Sequence, residues 1–152
     1  MEHIILHPIG IVSNDRKLIS DDNWGEVESV INLRDGIPEE ALTGLLEFSH
    51  IHVVFYFDKV EDAKICLEAR HPRNNTSLPK IGIFAQRAKN RPNKIGITVC
   101  KLLSIEKNKI TVVGLDAIDG TPVLDIKPYL VEFDVRDNIQ PDWTRDIMKN
   151  YF

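Results

Sequence analysis

Short apolar runs rich in β-branched and aromatic residues recur along this chain, and each run is followed by a turn. Residues 49–57 have the sequence SHIHVVFYF, which predicts a fully buried central strand. Lys107-Asn108-Lys109 separates two further runs, 102–105 and 110–113, and therefore predicts a β-hairpin. Other runs of the same character predict strands at 4–13, 25–33, 81–86, 95–104 and 121–129.

Helical patterns are few and short. Pro38 begins one predicted helix, because proline suits a first helical turn and the two acids that follow suit the positive end of the helix dipole. A closing helix is predicted at 143–152, and residues 62–70 fit a strand or a helix equally well. Strands do not alternate with helices and no GxGxxG motif follows a strand, so a Rossmann-type nucleotide site is not expected. The pattern predicts a mainly β fold: a single closed or nearly closed β-barrel with one or two short helices.

The length of 152 residues is typical of one domain with a sizeable core, so we expect residues 1–152 to form a single domain. No run of about 18 apolar residues occurs, and the first ten residues lack a signal-peptide pattern, so no membrane association is expected. Cys66 and Cys100 sit among aliphatic residues with no CxxC pair, which is typical of buried free thiols in a cytoplasmic protein.

The charges of the chain are distributed unevenly. A formal net charge of −4 argues against a protein that coats nucleic acid without specificity. Residues 70–101, however, contain no Asp or Glu and hold eight cations: Arg70, Arg73, Lys80, Arg87, Lys89, Arg91, Lys94 and Lys101. This asymmetry predicts a local anion-binding face, in which arginines suit bidentate phosphate contacts. The alternative is a solvated charged loop beside an edge strand.

Few motifs indicate a specific reaction. His50 and His52 lie two apart on a predicted strand and so face the same side, as a metal-binding HxH pair does. No third His or carboxylate motif accompanies them, so we expect no metal. No GxSxG or Cys-His motif supports nucleophilic hydrolysis. Asp119-Gly120 predicts a tight turn that by itself specifies no reaction.

Three segments together resemble the TsaA-like domain of the TrmO family. They are LLEFSHIHVVFYF at 45–57, GIFAQRAKNRPNKIG at 82–96 and GLDAIDGTPVLDIKPYL at 114–130, and the resemblance covers residues 9–129. It implies a single β-barrel, the cofactor S-adenosyl-L-methionine and a homodimer. It also implies methylation of N6-threonylcarbamoyladenosine beside the anticodon of tRNA, with residues 70–101 contacting the tRNA backbone. Some family members carry an additional C-terminal domain, which we do not expect in this chain.

The resemblance also assigns cofactor contacts. They fall on Ser49, His50, Arg87, Ile97, Ala117, Ile118, Asp119 and Gly120. A further contact segment of the family precedes the second strand, where residues 20–24 show no clean match.

Catalytic candidates follow from the chemistry that the resemblance implies. The acceptor nitrogen is weakly acidic and needs a base or a polarised carbonyl beside it, which makes Asp119 and Asp125 candidate bases. Tyr129 is a candidate for stacking on a splayed base of the anticodon loop. The candidates for orienting the carbonyl or the threonyl carboxylate are Arg91, Asn93 and Lys127.

The chain departs from the family pattern at three positions. Ala88 stands where serine is usual, Lys94 where proline is usual, and Val12 where arginine is common. Ala88 and Val12 remove polar contacts, so cofactor affinity or acceptor identity could differ, whereas Lys94 adds a cation that could strengthen RNA contact. Two alternatives therefore stay open: a methyltransferase of the same fold acting on another acceptor, and a non-catalytic barrel that binds S-adenosyl-L-methionine or RNA.

Overall fold

The computed structural model describes residues 2–152, and these form one antiparallel β-barrel with short additions. In chain order the strands are β1 (Gly10–Ser13), β2 (Glu28–Leu33), β3 (His50–Tyr56), β4 (Ala69–Arg70), β5 (Ile81–Gly82), β6 (Ile95–Glu106), β7 (Lys109–Val113) and β8 (Pro122–Pro128). Six of them close in the order β1-β2-β7-β6-β3-β8, and β4 and β5 form a separate two-stranded ribbon. The predicted closed barrel is confirmed.

The barrel interior is filled by alternate residues of its strands. Ile51, Val53 and Phe55 of β3 are at most 1% exposed, while the residues between them are only half-buried. The run 49–57 is therefore a central strand between β6 and β8, as predicted, but only one of its faces is buried. The prediction of a fully buried strand is wrong because the outer face of an antiparallel barrel carries no second layer.

The hairpin prediction is confirmed, since β6 and β7 pair from Lys101 with Val113 to Glu106 with Lys109. Two predicted strands are shorter than the sequence pattern indicates. The run 4–13 forms a strand only from Gly10, because both neighbours of β1 pair with it no earlier than that residue. The run 81–86 ends as a strand at Gly82 and continues as a 3₁₀ turn, Ile83–Ala85.

Helical structure is limited to one α-helix and several 3₁₀ turns within residues 2–152. The α-helix, α1, spans Asp142–Met148 and is shorter than the predicted closing helix. The segment after Pro38 forms two 3₁₀ turns, Glu39–Leu42 and Leu45–Glu47, in place of a single helix. The ambiguous residues 62–70 contain a 3₁₀ turn, Asp62–Lys64, and then β4.

Strand direction divides the barrel into two ends. At the upper end lie the strand ends Ser13, Glu28, Tyr56, Ile95, Val113 and Pro122. The lower end is spanned by residues 34–49, whose side chains Ile37, Leu42 and Leu45 pack against the core. The strands β7 and β8 are not adjacent in the barrel, and the two ends that the loop 114–121 joins both lie at the upper end. This loop therefore crosses the upper end.

Candidate functional site

The loop 114–121 carries the Asp-Gly turn and is anchored in the barrel. Leu115 is fully buried and Ala117 is 3% exposed, so these two side chains plug the upper end. The Gly120 N–H donates to the Val12 carbonyl oxygen at 2.8 Å, and Gly120 adopts a φ of +83°. Ile118 is half-buried and its carbonyl oxygen accepts from the Thr121 N–H at 3.2 Å. These hydrogen bonds fix the backbone of the turn relative to β1.

The Asp119 side chain ties the turn to the loop that follows β1. Its Oδ2 lies 2.7 Å from Lys17 Nζ, and its Oδ1 accepts from the Asn14 N–H at 3.1 Å. The hydrogen bond from Lys17, with that from Asn14, holds the pKa of Asp119 below its usual value. Both carboxylate oxygens are hydrogen-bonded and the pKa is lowered, so the Asp119 carboxylate is ionised and is a weak proton acceptor.

Asp116 is held by two hydroxyl groups from distant parts of the chain. Thr98 donates to one carboxylate oxygen and the Tyr151 hydroxyl donates to the other. Within residues 2–152, no Lys, Arg or His forms an ion pair with Asp116. The upper end of the barrel therefore presents a carboxylate without a cationic partner.

Arg87 and Ile97 are linked to each other, and β6 is linked to Asp116 by the residue after Ile97, Thr98. One Arg87 guanidinium N–H donates to the Ile97 carbonyl oxygen at 2.5 Å, and the Arg87 side chain is exposed. Ile97 is 44% exposed on the outer face of β6. Burial and Asp116 raise the pKa of Tyr151, and the charge of Arg87 opposes this by a smaller amount. We group Arg87 and Ile97 with the 114–121 loop as the upper cluster.

A second group of predicted residues lies on the outer face of β3 and β8. Ser49 Oγ lies 2.8 Å from His50 Nδ1, and the ring centroids of His50 and Tyr129 are 6.5 Å apart. The Asp125 Oδ2 atom is 3.0 Å from Lys127 Nζ. These five residues form the side cluster.

The two clusters are separate within one chain. His50 pairs with Lys101 of β6, four residues along the strand from Ile97, which is about 13 Å at roughly 3.3 Å per residue. Asp125 is closer, because it pairs with Val54, and Val54 pairs with Ile97. The structure thus leaves Ser49 and His50 at a distance from Ile97.

Several cations of the basic segment contact other residues of the protein, among them Lys94 and Arg91. Lys94 Nζ donates to the Val60 carbonyl oxygen at 3.0 Å and lies 2.7 Å from Asp62 Oδ1, with its side chain only 12% exposed. Arg91 donates to the carbonyl oxygens of Gln86 and Ala88. These placements do not favour the expectation that Lys94 strengthens an RNA contact. Asn93 is exposed.

Several residues of the upper cluster carried no signal in the sequence. Asn14 Nδ2 donates to the Ala117 carbonyl oxygen at 2.8 Å, and the Arg16 carbonyl oxygen accepts from the Asp119 N–H at 2.8 Å. Thr98 and Tyr151 lie 18 and 35 residues from Asp116. Only Asp116 was within reach of sequence reasoning, since it belongs to the same motif as Asp119.

The outer face of β3 shows no metal centre. His50 and His52 both lie against the ring of Tyr129, and His52 Nδ1 is buried without a hydrogen-bond partner. Residues 2–152 contain no group of three or more His, Cys, Asp or Glu side chains that could hold a metal ion. Over the same range, no helix is long and apolar enough to cross a membrane.

Comparison with known proteins identifies the family. The family model of the tRNA-methyltransferase O N-terminal domain matches residues 21–135. The chain belongs to this family. The TrmO resemblance of the three sequence segments is thereby confirmed, and residues 136–152, which include Tyr151, lie outside the matched range.

Relatives of this TrmO family chain include archaeal and mammalian proteins. A probable S-adenosyl-L-methionine-binding protein of Pyrococcus abyssi is 35% identical over 147 residues, which cover 92% of this chain and 76% of that relative. The tRNA (adenine(37)-N6)-methyltransferase of Rattus norvegicus is 41% identical over 104 residues, which cover 68% of this chain and 24% of that relative. The chain thus spans about a quarter of the length of the mammalian relatives it matches. The crystal structure of TrmO from Pseudomonas aeruginosa superposes with a TM-score of 0.73 at 30% identity, covering 92% of this chain and 62% of that one.

Proposed function

We propose that this chain is an S-adenosyl-L-methionine-dependent methyltransferase that N-methylates N6-threonylcarbamoyladenosine next to the anticodon of tRNA. The observation that supports the proposal is the upper cluster: Asp116 of the anchored 114–121 loop is hydrogen-bonded to Thr98 of β6, and Arg87 is hydrogen-bonded to the preceding residue, Ile97. The printed names of relatives support the cofactor and the RNA, as S-adenosyl-L-methionine-binding proteins in archaea and adenine methyltransferases of tRNA in mammals.

The residues of the upper cluster fit this cofactor by their chemistry. S-adenosyl-L-methionine, when bound, supplies an electrophilic methyl group on a positively charged sulfur. Ile97 offers an exposed apolar wall, which suits a reaction in which charge disappears. Arg87 has spare N–H donors for a carboxylate, and Asp116 is an anion without a cationic partner. The fixed backbone of the Asp119-Gly120 turn can orient neutral polar parts of the ligand.

The side cluster fits the acceptor. The N6 nitrogen must lose a proton as it gains the methyl group. Asp119 is fastened by Lys17 and Asn14, so Asp125 is the better candidate base, with its half-exposed carboxylate in the same row as Ile97. Tyr129 is proposed to stack on a splayed base.

Three further residues are proposed to orient the substrate. Lys127 is 68% exposed and Asn93 is exposed, so both can reach a bound carboxylate or carbonyl. Arg91 keeps one part of its guanidinium on backbone carbonyl oxygens and can use the other for the threonyl carboxylate.

The basic segment is proposed to contact tRNA. Within the described chain, two of its eight cations form ion pairs, Arg73 with Asp22 and Lys94 with Asp62. The other six have no carboxylate partner and can approach phosphates. A protein that acts on tRNA would work in the cytoplasm, which fits the two free thiols.

The deciding experiment is mass spectrometry of purified tRNA after incubation with the protein and S-adenosyl-L-methionine. Methyl transfer to tRNA that carries the threonylcarbamoyl group, and not to the same tRNA without it, is the expected result. Equal transfer to both tRNAs would assign a different acceptor. Cofactor binding by calorimetry without transfer to any RNA would identify a non-catalytic binding barrel instead.

A homodimer is proposed through the outer face of β6. Four of the five alternate residues on this face are apolar and exposed, and Lys101 is the fifth: Ile95 at 36%, Ile97 at 44%, Val99 at 39% and Leu103 at 42%. The solvent face of an antiparallel strand is normally polar, and a twofold interface places one such stripe against itself. A second copy would also bring another chain's residues beside Ile97, where the two clusters of one chain are separated.

The exposed apolar residues on the outer face of β6 predict how one added positive charge would affect the proposed dimer. Val99→Lys should convert dimer to monomer, because the lysine would be buried against its own symmetry mate. Light scattering after size exclusion measures this. Leu67→Lys, at a residue that is 73% exposed elsewhere, is the matched control. A monomeric wild-type protein, or an unaffected Val99→Lys dimer, would contradict the proposed interface.

A further inference from the structure

Residues 149–152, the closing segment, return to the upper end of the barrel after α1. The Asn23 N–H donates to the Asn150 carbonyl oxygen at 2.8 Å, and the Trp24 N–H donates to the Tyr151 carbonyl oxygen at 2.7 Å. The closing segment is thus hydrogen-bonded along its backbone to the loop before β2. This loop corresponds to the part of the family where a further cofactor contact was expected from the sequence.

A close backbone approach fixes the same contact. A Cβ atom placed on Gly25 would lie 2.6 Å from the main-chain carbonyl carbon of Phe152, a distance that real Cβ atoms do not show. Residue 25 must therefore be glycine for the closing segment to lie where it does. The contact between Gly25 and Phe152 is therefore encoded by the sequence of this chain, although residues 136–152 are outside the family match.

The Tyr151 side chain extends from this segment into the upper cluster. Its hydroxyl donates to Asp116, whose other oxygen accepts from Thr98. Burial and the neighbouring Asp116 charge raise the pKa of Tyr151, so the phenol stays protonated and remains a donor at neutral pH. Tyr151 therefore contacts the 114–121 loop through its hydroxyl and the loop before β2 through its backbone.

We propose that Tyr151 is a positioning residue of the cofactor site. Its hydroxyl holds Asp116, and through Asp116 it fixes the loop that carries Ala117 and Gly120. Its backbone fixes the loop at 20–25. The inference rests on the proposed function, since it names a residue that shapes the site for S-adenosyl-L-methionine.

The physical reason lies in the Asp116 carboxylate. One hydroxyl donor on each oxygen holds it in a defined orientation, and no Lys, Arg or His among residues 2–152 forms an ion pair with it. A carboxylate so placed suits a ligand that carries a sulfonium and an ammonium group. Removal of one donor leaves a carboxylate oxygen unsatisfied, and the carboxylate and its loop can then rearrange.

The test is calorimetric titration of S-adenosyl-L-methionine into the full chain and into Tyr151→Phe. This change removes only the hydroxyl and keeps the ring and the backbone contacts with Trp24. We expect the Kd to rise about tenfold, the scale of one hydrogen bond to a charged group. Tyr56→Phe, another tyrosine at the upper end and outside both clusters, is the matched control and should bind as wild type does. In the methyl-transfer assay, Tyr151→Phe should raise KM for the cofactor more than it lowers kcat.

A double-mutant cycle separates positioning from general loosening of the fold. If Tyr151 acts through Asp116, adding Tyr151→Phe to Asp116→Asn should weaken binding by less than twofold beyond Asp116→Asn alone. Multiplicative effects of the two changes, or a Kd for Tyr151→Phe within twofold of wild type, would overturn the inference while leaving the proposed function intact. A wild-type chain that binds no S-adenosyl-L-methionine would instead overturn the proposed function and remove the basis of the inference.

Discussion

Asp119 illustrates how a single residue of the motif can serve structure rather than chemistry. From the sequence it is a candidate base and a candidate cofactor contact. In the structure its carboxylate binds Lys17 and the Asn14 N–H, so its proton affinity is reduced. The residue that remains available is Asp116, whose partners are neutral hydroxyls.

This pairing predicts a measurable titration. Lys17→Met should raise the pKa of Asp119 towards its ordinary value of 3.8, because the largest cause of the lowering is removed. A lowered folded-state pKa stabilises the protein above the unfolded-state pKa, and that stabilisation is lost as pH falls through the folded-state pKa. In Lys17→Met, less stability should therefore be lost on acidification. Carbon-13 NMR of the Asp carboxyl groups measures the pKa.

Lys59→Met is the control for this titration, since Lys59 pairs with Asp58 at 3.0 Å and does not touch Asp119. It should leave the Asp119 titration unchanged. An Asp119 pKa that stays low in Lys17→Met would assign the effect to the backbone hydrogen bond from Asn14 alone.

Among the elements, β1 closes the barrel with only four residues. It pairs with β2 along its whole length and with β8 through Gly10 and Ile11. At Gly10 the backbone of β2 is so close that a Cβ atom would lie 2.5 Å from the Asn32 carbonyl oxygen.

The close approach of β1 and β2 at Gly10 predicts that one added methyl group lowers the free energy of unfolding. Gly10→Ala should lower the free energy of unfolding by about 1–3 kcal/mol, the range of overpacking, because two paired backbones must separate. Urea unfolding measures it. Gly82→Ala is the matched control, as a Cβ there meets nothing within 4 Å, and it should change stability by less than about 0.5 kcal/mol. Equal losses in both variants would show that the short contact at Gly10 carries no energetic weight.

For the whole molecule, the proposed tRNA contact depends on which cations of the basic segment are not bound to other residues of the protein. Lys94 and Arg91 were the cations that the sequence motif emphasised, and both are bound to neighbouring residues of the fold. Lys80 and Lys89 belong to the same basic segment and form no ion pair within residues 2–152. The proposed tRNA contact should therefore depend on the second pair more than on Lys94.

Salt dependence tests this distribution. Lys80→Gln with Lys89→Gln should weaken tRNA binding and reduce the slope of log K against log salt by about 0.7–0.9 per lysine, since each phosphate contact releases counterions. Lys107→Gln with Lys109→Gln removes the same charge at the lower end of the barrel, beside the β6–β7 turn, and should leave the slope unchanged. Equal slopes for the two double variants would remove the basic segment from the RNA interface.

Short stretches of the sequence were enough to predict several local elements and the family. β-Branched and aromatic residues located β3 and turn residues located the β6–β7 hairpin, because strand pairing across a two-residue turn is encoded by neighbouring residues. The three motif segments identified the TrmO family, which the family match confirmed.

Only the tertiary structure decided which of these residues meet. Asp62 lies 32 residues from Lys94 and Tyr151 lies 35 residues from Asp116, and no periodicity relates either pair. In the closed barrel, His50 pairs with a residue four positions along β6 from Ile97. Asp125 and Ile97, in contrast, both pair with the same residue of β3. Such contacts depend on strand register and on the path of the connecting loops, which are set by the packing of the whole chain rather than by any short stretch of it.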